Sequence, residues 1–246
     1  MVRVYGLIGR NISHSFSAGF FNDKFKRENI EAIYKLFDLQ DIKQIKSLLT
    51  SENIYGLNVT APYKREVIPF LDSVSSVAEE LNAVNVIKVM RNNVGEITLL
   101  GDNADYEGFR QTLPASFNKD IKALVLGTGG AASAVCKALD IQGISFRVVS
   151  RYPKKDEVSY ETANSFLPDS LLIVNATPLG MPHLLNEAPP IDYSLITPHH
   201  YCYDLIYNPS ETLFLKKAKE HGAKIINGLE MLVNQANISW NIWNQR

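Results

Sequence analysis

KALVLGTGGAASAV, residues 122–135, is the stretch from which the fold can be read. A β-rich apolar run ends at Gly127, Gly129 follows, and Ala132 takes the third small position of a G-x-G-x-x-A pattern. A helical pattern begins at once. In a dinucleotide fingerprint the small residues let the backbone approach a pyrophosphate. The helix behind them offers N–H groups and the positive end of its dipole. A Gly-rich strand-to-helix turn without a ligand is the bland alternative. The strand before, the helix after and a further strand at 144–149 favour the dinucleotide.

That next strand, ISFRVVS, indicates which dinucleotide. An NAD site places Asp or Glu roughly 20 residues past the first glycine, where it holds the ribose 2′-hydroxyl. Here the strand ends in Ser150 and Arg151, with Lys154 and Lys155 close behind and no carboxylate before Asp156. Serine can donate to a 2′-phosphate and arginine can fork onto it. The reading is NADP(H), set against a solvated basic loop as the plainer fate of such a run.

Outward from this motif, short apolar runs alternate with helical patterns along the whole chain. Strands are predicted at 2–9, 32–39, 54–60, 83–90, 97–101, 121–126, 144–149, 171–175, 201–206 and 224–226. Helices are predicted near 16–28, 41–50, 63–80, 130–140 and 211–221, with apolar residues Met231 to Trp243 at helical spacing. Asn92–Gly95 reads as a hairpin turn, and 152–163 and 182–190 as loops. Such alternation predicts an α/β fold with mainly parallel sheets covered by helices on both faces.

At 246 residues the chain holds one large domain or two small ones on a prior of ~150 residues each. Hydrophobic residues at 46% and charged residues at 21% support a sizeable core and argue against disorder. Net charge is −1 with a pI near 6.5, and no basic stripe carries interleaved aromatics, so nucleic acid is not an expected partner. No run approaches the ~18 apolar residues of a membrane span. MVRVYGLIGR is too short for a secretory signal and reads as a first strand. Cys136 and Cys202 sit in apolar segments; a single disulfide between them is the alternative, and the favoured reading is two buried thiols of a cytoplasmic protein. The histidines, with His199 and His200 adjacent, lack metal-ligand spacing, and no metal is expected.

A nucleotide fold alone carries no chemistry, so the first half should hold the substrate. Polar clusters fall at predicted strand ends there: ISHSFS at 12–17, Asn58, Thr60 and Lys64 in GLNVTAPYK, Asn85 in AVNV, and GDNAD at 101–105. Ligands of open α/β sheets lie outside the carboxyl ends of the strands, so these groups could converge on a small, hydroxyl-rich anion. Singly, each has a structural explanation, with Ser15 or Ser17 capping one helix and Asp105 the next.

Together they resemble the shikimate dehydrogenase family. ISHSFS resembles its I-x-H-S-x-S, NVTAPYK its N-V-T-x-P-x-K, AVNV its A-x-N-T and GDNAD its G-x-N-T-D. GTGGA is similar to G-x-G-G-A and VSR to the N-R-T element. NATPLGM at 175–181, DLIYNP at 204–209 and GLEML with Gln235-Ala236 also fit, in order, from about residue 5 to 243. The resemblance implies NADP-dependent interconversion of 3-dehydroshikimate and shikimate; a monomer or homodimer is expected. It implies an N-terminal α/β/α substrate domain, 1–103, rejoined by a C-terminal helix at 230–246, and a Rossmann-type domain, 104–229, with the active-site cleft between them. By matching positions, Lys64 and Asp105 are the catalytic pair. Ser15 and Ser17, with Tyr207, hold the substrate carboxylate, and Asn58, Thr60, Asn85 and Gln235 bind ring hydroxyls or complete the wall. Gly127, Gly129, Gly130, Ala131, Ser150, Arg151, Lys154, Thr177 and Gly228 fall to the cofactor.

The chain departs from the pattern at Ala104 and Val86, where the family usually has Thr, at Arg10-Asn11 for Asn-Pro, and at Ala18 for Pro. The first two remove hydroxyls near the expected substrate. Two rival readings are an NAD-using quinate/shikimate dehydrogenase and an NADP-binding redox sensor without turnover. Ser15, Ser17 and the missing acid near residue 150 argue against the first. The retention of both Lys64 and Asp105 argues against the second.

Overall fold

The computed structural model describes residues 2–13 and 15–245; His14 of the ISHSFS motif lies outside the described residues. The chain divides into two compact units, Met1–Ala104 with Ala236–Arg246, and Asp105–Gln235.

The first unit is built on β1 (Arg3–Gly9), α1 (Phe16–Arg27), β2 (Ala32–Asp38), α2 (Ile45–Ser51), β3 (Ile54–Val59), α3 (Tyr63–Glu66), β4 (Ser73–Val74), α4 (Ser76–Glu80), β5 (Val86–Arg91) and β6 (Ile97–Asp102). Its sheet runs β2-β1-β3-β5-β6-β4. β1 pairs in parallel with β2 and β3, and β4 with β6, whereas β3–β5 and the β5–β6 hairpin are antiparallel. Ile8, Ile45, Ile54, Leu57 and Ile87 pack on one face of this sheet. Phe21 and Phe25 of α1 cover the other, together with Trp243. Full burial of such a side chain contributes about 1.5–3 kcal/mol. Gly56 admits the Trp243 indole, since a Cβ there would lie 2.4 Å from the ring, and the indole N–H donates to the Ile87 carbonyl at 3.1 Å.

The helix expected near 63–80 is broken instead into α3, a single 3-10 turn at Ile68–Phe70, β4 and α4. Pro69 cannot donate to a continuing helix, and Ser73 and Val74 are drawn into pairing with Leu100 and Gly101. The strand expected at 83–90 starts only at Val86, because the chain turns at Leu81–Asn82, where Asn82 takes a left-handed φ of 48°, and the Val84 N–H is spent on the Lys64 carbonyl.

The second unit holds α5 (Asp105–Arg110), β7 (Lys122–Leu126), α6 (Gly130–Ile141), β8 (Ser145–Val149), β9 (Glu157–Val158), α7 (Tyr160–Ala163), β10 (Leu172–Asn175), β11 (Tyr201–Asp204), α8 (Leu213–Glu220) and β12 (Lys224–Ile226). α9 (Leu229–Asn244) begins in this unit and ends in the first. The sheet order is β12-β11-β10-β7-β8-β9, with every pairing parallel. Counted from β7, that is the 3-2-1-4-5-6 order of a doubly wound dinucleotide fold, with its switch point between β7 and β10. The segment 152–163 is more ordered than its polar composition suggests. Glu157 and Val158 extend the sheet beside Val148 and Val149, and Ser159 caps α7 by accepting from the Thr162 N–H.

Candidate active site

In the first unit the polar residues gather at the carboxyl ends of β1 and β3, which run side by side with Ile8 opposite Val59. Ser15 is the N-cap of α1. Its Oγ accepts from the Ser17 N–H at 3.3 Å, so the capping role is real, and its hydroxyl donates to no group among the described residues. Thr60 turns its methyl toward Gly9, where a Cβ would lie 2.5 Å from it. The Thr60 hydroxyl has no hydrogen bond among the described residues.

Lys64 sits in the single turn of α3, half-buried, with its carbonyl accepting from the Val84 N–H at 2.8 Å. The residue before it is pinned from two sides. The phenol of buried Tyr63 donates to the Leu39 carbonyl at 2.7 Å, and the Arg10 guanidinium lies 5.7 Å over its ring. Arg10 also donates to the Gln40 carbonyl and to the phenol oxygen. A departure from the family pattern thus braces the turn that carries Lys64.

Two buried asparagines clasp the neighbouring turns. Asn85 accepts from the Ala104 N–H at 2.7 Å through its Oδ1, and Asn103 donates to the Ala83 carbonyl at 2.8 Å. The Nδ2 of Asn85 has no hydrogen bond among the described residues. Val86 and Ala104 are wholly buried in the apolar cluster with Tyr5 and Ala236. Hydroxyls at these two positions would lie within that buried cluster.

Asn58 is hydrogen-bonded within its own unit. Its Nδ2 donates to the Asn85 carbonyl at 3.2 Å and to Ser239 Oγ at 2.8 Å, while its Oδ1 accepts from the Tyr34 phenol at 2.8 Å. Of the two roles expected for it, this geometry fits the wall. Tyr34 escaped sequence reasoning because an aromatic inside the alternating strand AIYKLFD reads as core. It is indeed core, stacked on Phe21 at 4.6 Å, yet its hydroxyl also meets the Ser17 side chain. Burial pushes this phenol's pKa up and keeps it neutral.

The remaining predicted substrate residues belong to the second unit. Asp105 opens α5 and is 6% exposed. Gln235 lies on α9 where α5 crosses it closely, a Cβ on Gly108 falling 3.1 Å from Gln235 Cβ. Tyr207 is half-buried, which pushes its phenol up.

A cavity of about 490 Å³ opens at the switch point of the second sheet. Its floor is Gly127–Gly129 beyond β7, one wall is Val149–Tyr152 beyond β8, and the other is Ala176–Leu179 beyond β10. Gly127 has φ +113° and packs against Ala176, so only glycine suits it. Gly129 and Gly130 differ, because a Cβ at either meets nothing within 4 Å. No side chain caps α6, so its first-turn N–H groups face this open space. The residues present fit a pyrophosphate.

Ser150 is 9% exposed and accepts from the Tyr152 N–H at 3.2 Å. Arg151 is exposed, with no hydrogen bond or ion pair among the described residues, and its charge opposes the rise that burial causes in the Tyr160 phenol. Lys154 is also exposed, its N–H held by Glu157 at 3.1 Å. Thr177 lines the cavity, but its hydroxyl is engaged by Asn175 Oδ1 at 2.6 Å and the Leu179 N–H at 3.2 Å. Gly228 lies outside the cavity's lining, and its smallness has a packing cause, since a Cβ would sit 2.0 Å from the Leu205 carbonyl oxygen.

Behind the β10 wall the carboxyl of buried Asp204 accepts from Asn175 Nδ2 at 3.2 Å, Thr212 Oγ1 at 2.5 Å and the Ile206 N–H at 3.0 Å. Burial outweighs these donors and pushes the carboxyl up to about 6. Cys136 and Cys202 are free, and burial pushes both thiols up to about 12.

The sequence model for the shikimate dehydrogenase substrate binding domain matches residues 7–87. A shikimate dehydrogenase (NADP(+)) of Caldanaerobacter subterraneus subsp. tengcongensis is 37% identical over 98% of this chain and 91% of its own length. The chain belongs to the shikimate dehydrogenase family. A chorismate mutase/shikimate 5-dehydrogenase fusion protein from Clostridium acetobutylicum superposes with TM-score 0.86 at 36% identity, over 99% of this chain and 92% of that one. Shikimate 5-dehydrogenase from Thermus thermophilus, solved with NADP(H) and shikimate, gives TM-score 0.85 at 29% identity over 99% and 94%. The α/β architecture of the family, with a substrate domain and a Rossmann-like domain, is the one described above. No described helix is long and apolar enough to cross a membrane.

Proposed function

We propose that this protein is an NADP-dependent oxidoreductase interconverting 3-dehydroshikimate and shikimate, a step of aromatic amino-acid biosynthesis. The observation that carries the reading is the set of polar groups at strand carboxyl ends that lack a partner among the described residues. The Ser15 and Thr60 hydroxyls and the Asn85 amide stand in one unit, and bare glycines with Arg151 stand in the other. Such groups suit a small anion rich in hydroxyls and a phosphorylated dinucleotide. A cytoplasmic setting is in keeping with two free thiols.

NADPH, when bound, supplies the hydride. The protein's own task is to meet the negative charge that grows on the carbonyl oxygen as hydride reaches its carbon. Lys64 is the residue for this, carried on a turn braced by Arg10 and Tyr63. Asp105 completes the catalytic pair. Ser15 donates to the substrate carboxylate at the positive end of α1, with Ser17 beside it and Tyr207 as a third donor. Thr60, Asn85 and Gln235 take ring hydroxyls, and Asn58 holds the wall. In the cofactor site Gly127, Gly129, Gly130 and Ala131 cradle the pyrophosphate, and Ser150, Arg151 and Lys154 take the 2′-phosphate. Thr177 shapes the loop opposite, and Gly228 serves packing.

The test is to mix the full chain with shikimate and NADP⁺ and to follow reduced cofactor by absorbance, with quinate and NAD⁺ as parallel arms. Reduction with shikimate and NADP⁺ is the expected result. NADP⁺ binding with no turnover on either acid would overturn the reading in favour of a sensor. Faster turnover with quinate and NAD⁺ would move the protein to the quinate branch.

A further inference from the structure

Tyr152 is 85% exposed, more than any other large apolar side chain among the described residues. Single exposed aromatics are ordinary on protein surfaces, so exposure alone says nothing. Position does. The residue lines the nucleotide cavity, immediately after Arg151 in sequence, together with Leu184 and Pro190. Its root is fixed, since its N–H is held by Ser150 Oγ at 3.2 Å and Ser150 is itself tied to Val158 by a backbone hydrogen bond of 2.9 Å.

The geometry orders a bound dinucleotide along this wall. The pyrophosphate belongs at the open glycines of α6, and the 2′-phosphate at the end of β8. The base, attached to the same ribose, must lie beyond Arg151 on the rim. Two aromatic side chains line the cavity, and of these Tyr160 is half-buried while Tyr152 presents its face to the open space. A purine presents a π-face of matching size, and base–aromatic stacking does not depend on hydrogen-bond readout.

We propose that Tyr152 is the purine platform of the cofactor site, stacking on the adenine, so that the base and the 2′-phosphate are held by neighbouring residues of different chemistry. The inference rests on the NADP reading above. It separates two contributions that sequence places side by side. Arg151 discriminates phosphorylated from unphosphorylated ribose, and Tyr152 strengthens any adenine nucleotide.

The test is calorimetric titration of the full chain and of Tyr152→Ala, Tyr152→Phe and Arg151→Ala. The ligands are NADP⁺, NAD⁺, adenosine 2′,5′-bisphosphate and nicotinamide mononucleotide, which has no adenine. Tyr152→Ala should weaken the three adenine ligands alike, by about tenfold, and leave the mononucleotide unchanged. Tyr152→Phe should bind all four within about twofold of the parent. Arg151→Ala should lose affinity only for the two ligands with a 2′-phosphate. Unchanged binding of adenosine 2′,5′-bisphosphate by Tyr152→Ala overturns the platform while leaving the NADP reading intact. So does a loss in Tyr152→Phe equal to that in the alanine variant, which would make the hydroxyl the contact. A parent chain that binds no adenine nucleotide overturns the cofactor reading and this inference with it.

Discussion

Gly129→Ala separates a glycine kept for a ligand from one kept for the fold. At Gly129 φ is −79° and ψ 179°, backbone open to any residue, and a Cβ would meet nothing within 4 Å. Two small stability effects oppose each other. Alanine restricts the unfolded chain, worth about 0.4–1 kcal/mol, but it caps a helix less well than glycine by roughly 0.5 kcal/mol. The net change should stay within about 0.5 kcal/mol. Binding is another matter, because the new methyl enters the space over the uncapped end of α6 where a pyrophosphate would sit. Losing one charge-assisted hydrogen bond costs about 1.5–3 kcal/mol, or roughly ten- to a hundredfold in Kd. Gly228→Ala is the comparison. Its Cβ would fall 2.0 Å from the Leu205 carbonyl oxygen, so backbone must move, at about 3 kcal/mol. Urea unfolding without cofactor and calorimetric titration with NADP⁺ read the two quantities separately. The reasoning is refuted if Gly129→Ala binds NADP⁺ within twofold of the parent, or if its unfolding midpoint falls as far as that of Gly228→Ala.

Three further outcomes are expected. Lys64→Ala should fold and bind NADP⁺ normally but lose roughly 10²–10⁴ in kcat, and Lys64→Arg should rescue poorly because a guanidinium keeps its proton; turnover within about threefold of the parent would remove Lys64 from the mechanism. Tyr34→Phe deletes one oxygen and leaves Asn58 Oδ1 without its donor, so stability should fall by about 1–3 kcal/mol; KM for shikimate should rise several-fold with kcat nearly unchanged, and a stability loss with unchanged KM would make the hydroxyl purely structural. Asp204 should titrate near 6 by carboxyl-carbon NMR, above its ordinary 3.8. The folded state holds this proton more tightly than the unfolded chain. The stabilisation is therefore complete below about pH 4 and lost as pH rises through about 6, about 3 kcal/mol in all. Thr212→Val, which removes a donor that favours the charged form, should raise the midpoint further, and a parent midpoint near 4 would refute the assignment.

Much of the second unit was legible in the chain itself, because its signals are local. The fingerprint at Gly127–Ala132 needs only a strand, a turn and a helix in succession, and those elements form within a residue or two of where periodicity places them. Non-local structure was less legible. The pattern at 63–80 looks helical on its own, yet Ser73 and Val74 pair with Leu100 and Gly101, residues more than twenty positions away. Likewise 152–163 reads as loop because its composition is polar, while pairing with β8 makes a strand of Glu157 and Val158. Tertiary pairing outweighs local propensity in both places.

The stretch GLNVTAPYK shows why site residues are harder to read than the fold. Its polar residues have one composition but different employments. Gly56 makes room for Trp243, Asn58 is bonded to Tyr34, Asn85 and Ser239, and the Thr60 hydroxyl has no hydrogen bond among the described residues. An asparagine bonded within the protein and a threonine with an open hydroxyl look alike in sequence, since both are polar residues at the end of a strand. Buried polar groups must be hydrogen-bonded, so an account of which donors are already spent tells them apart where residue type cannot. By that criterion Ser15, Thr60, Asn85 and Arg151 have capacity to spare among the described residues, whereas Asn58 and Thr177 are bonded within the protein and Gly228 is closely packed. Substituting the second group should disturb folding first and ligand binding as a consequence; substituting the first should do the reverse.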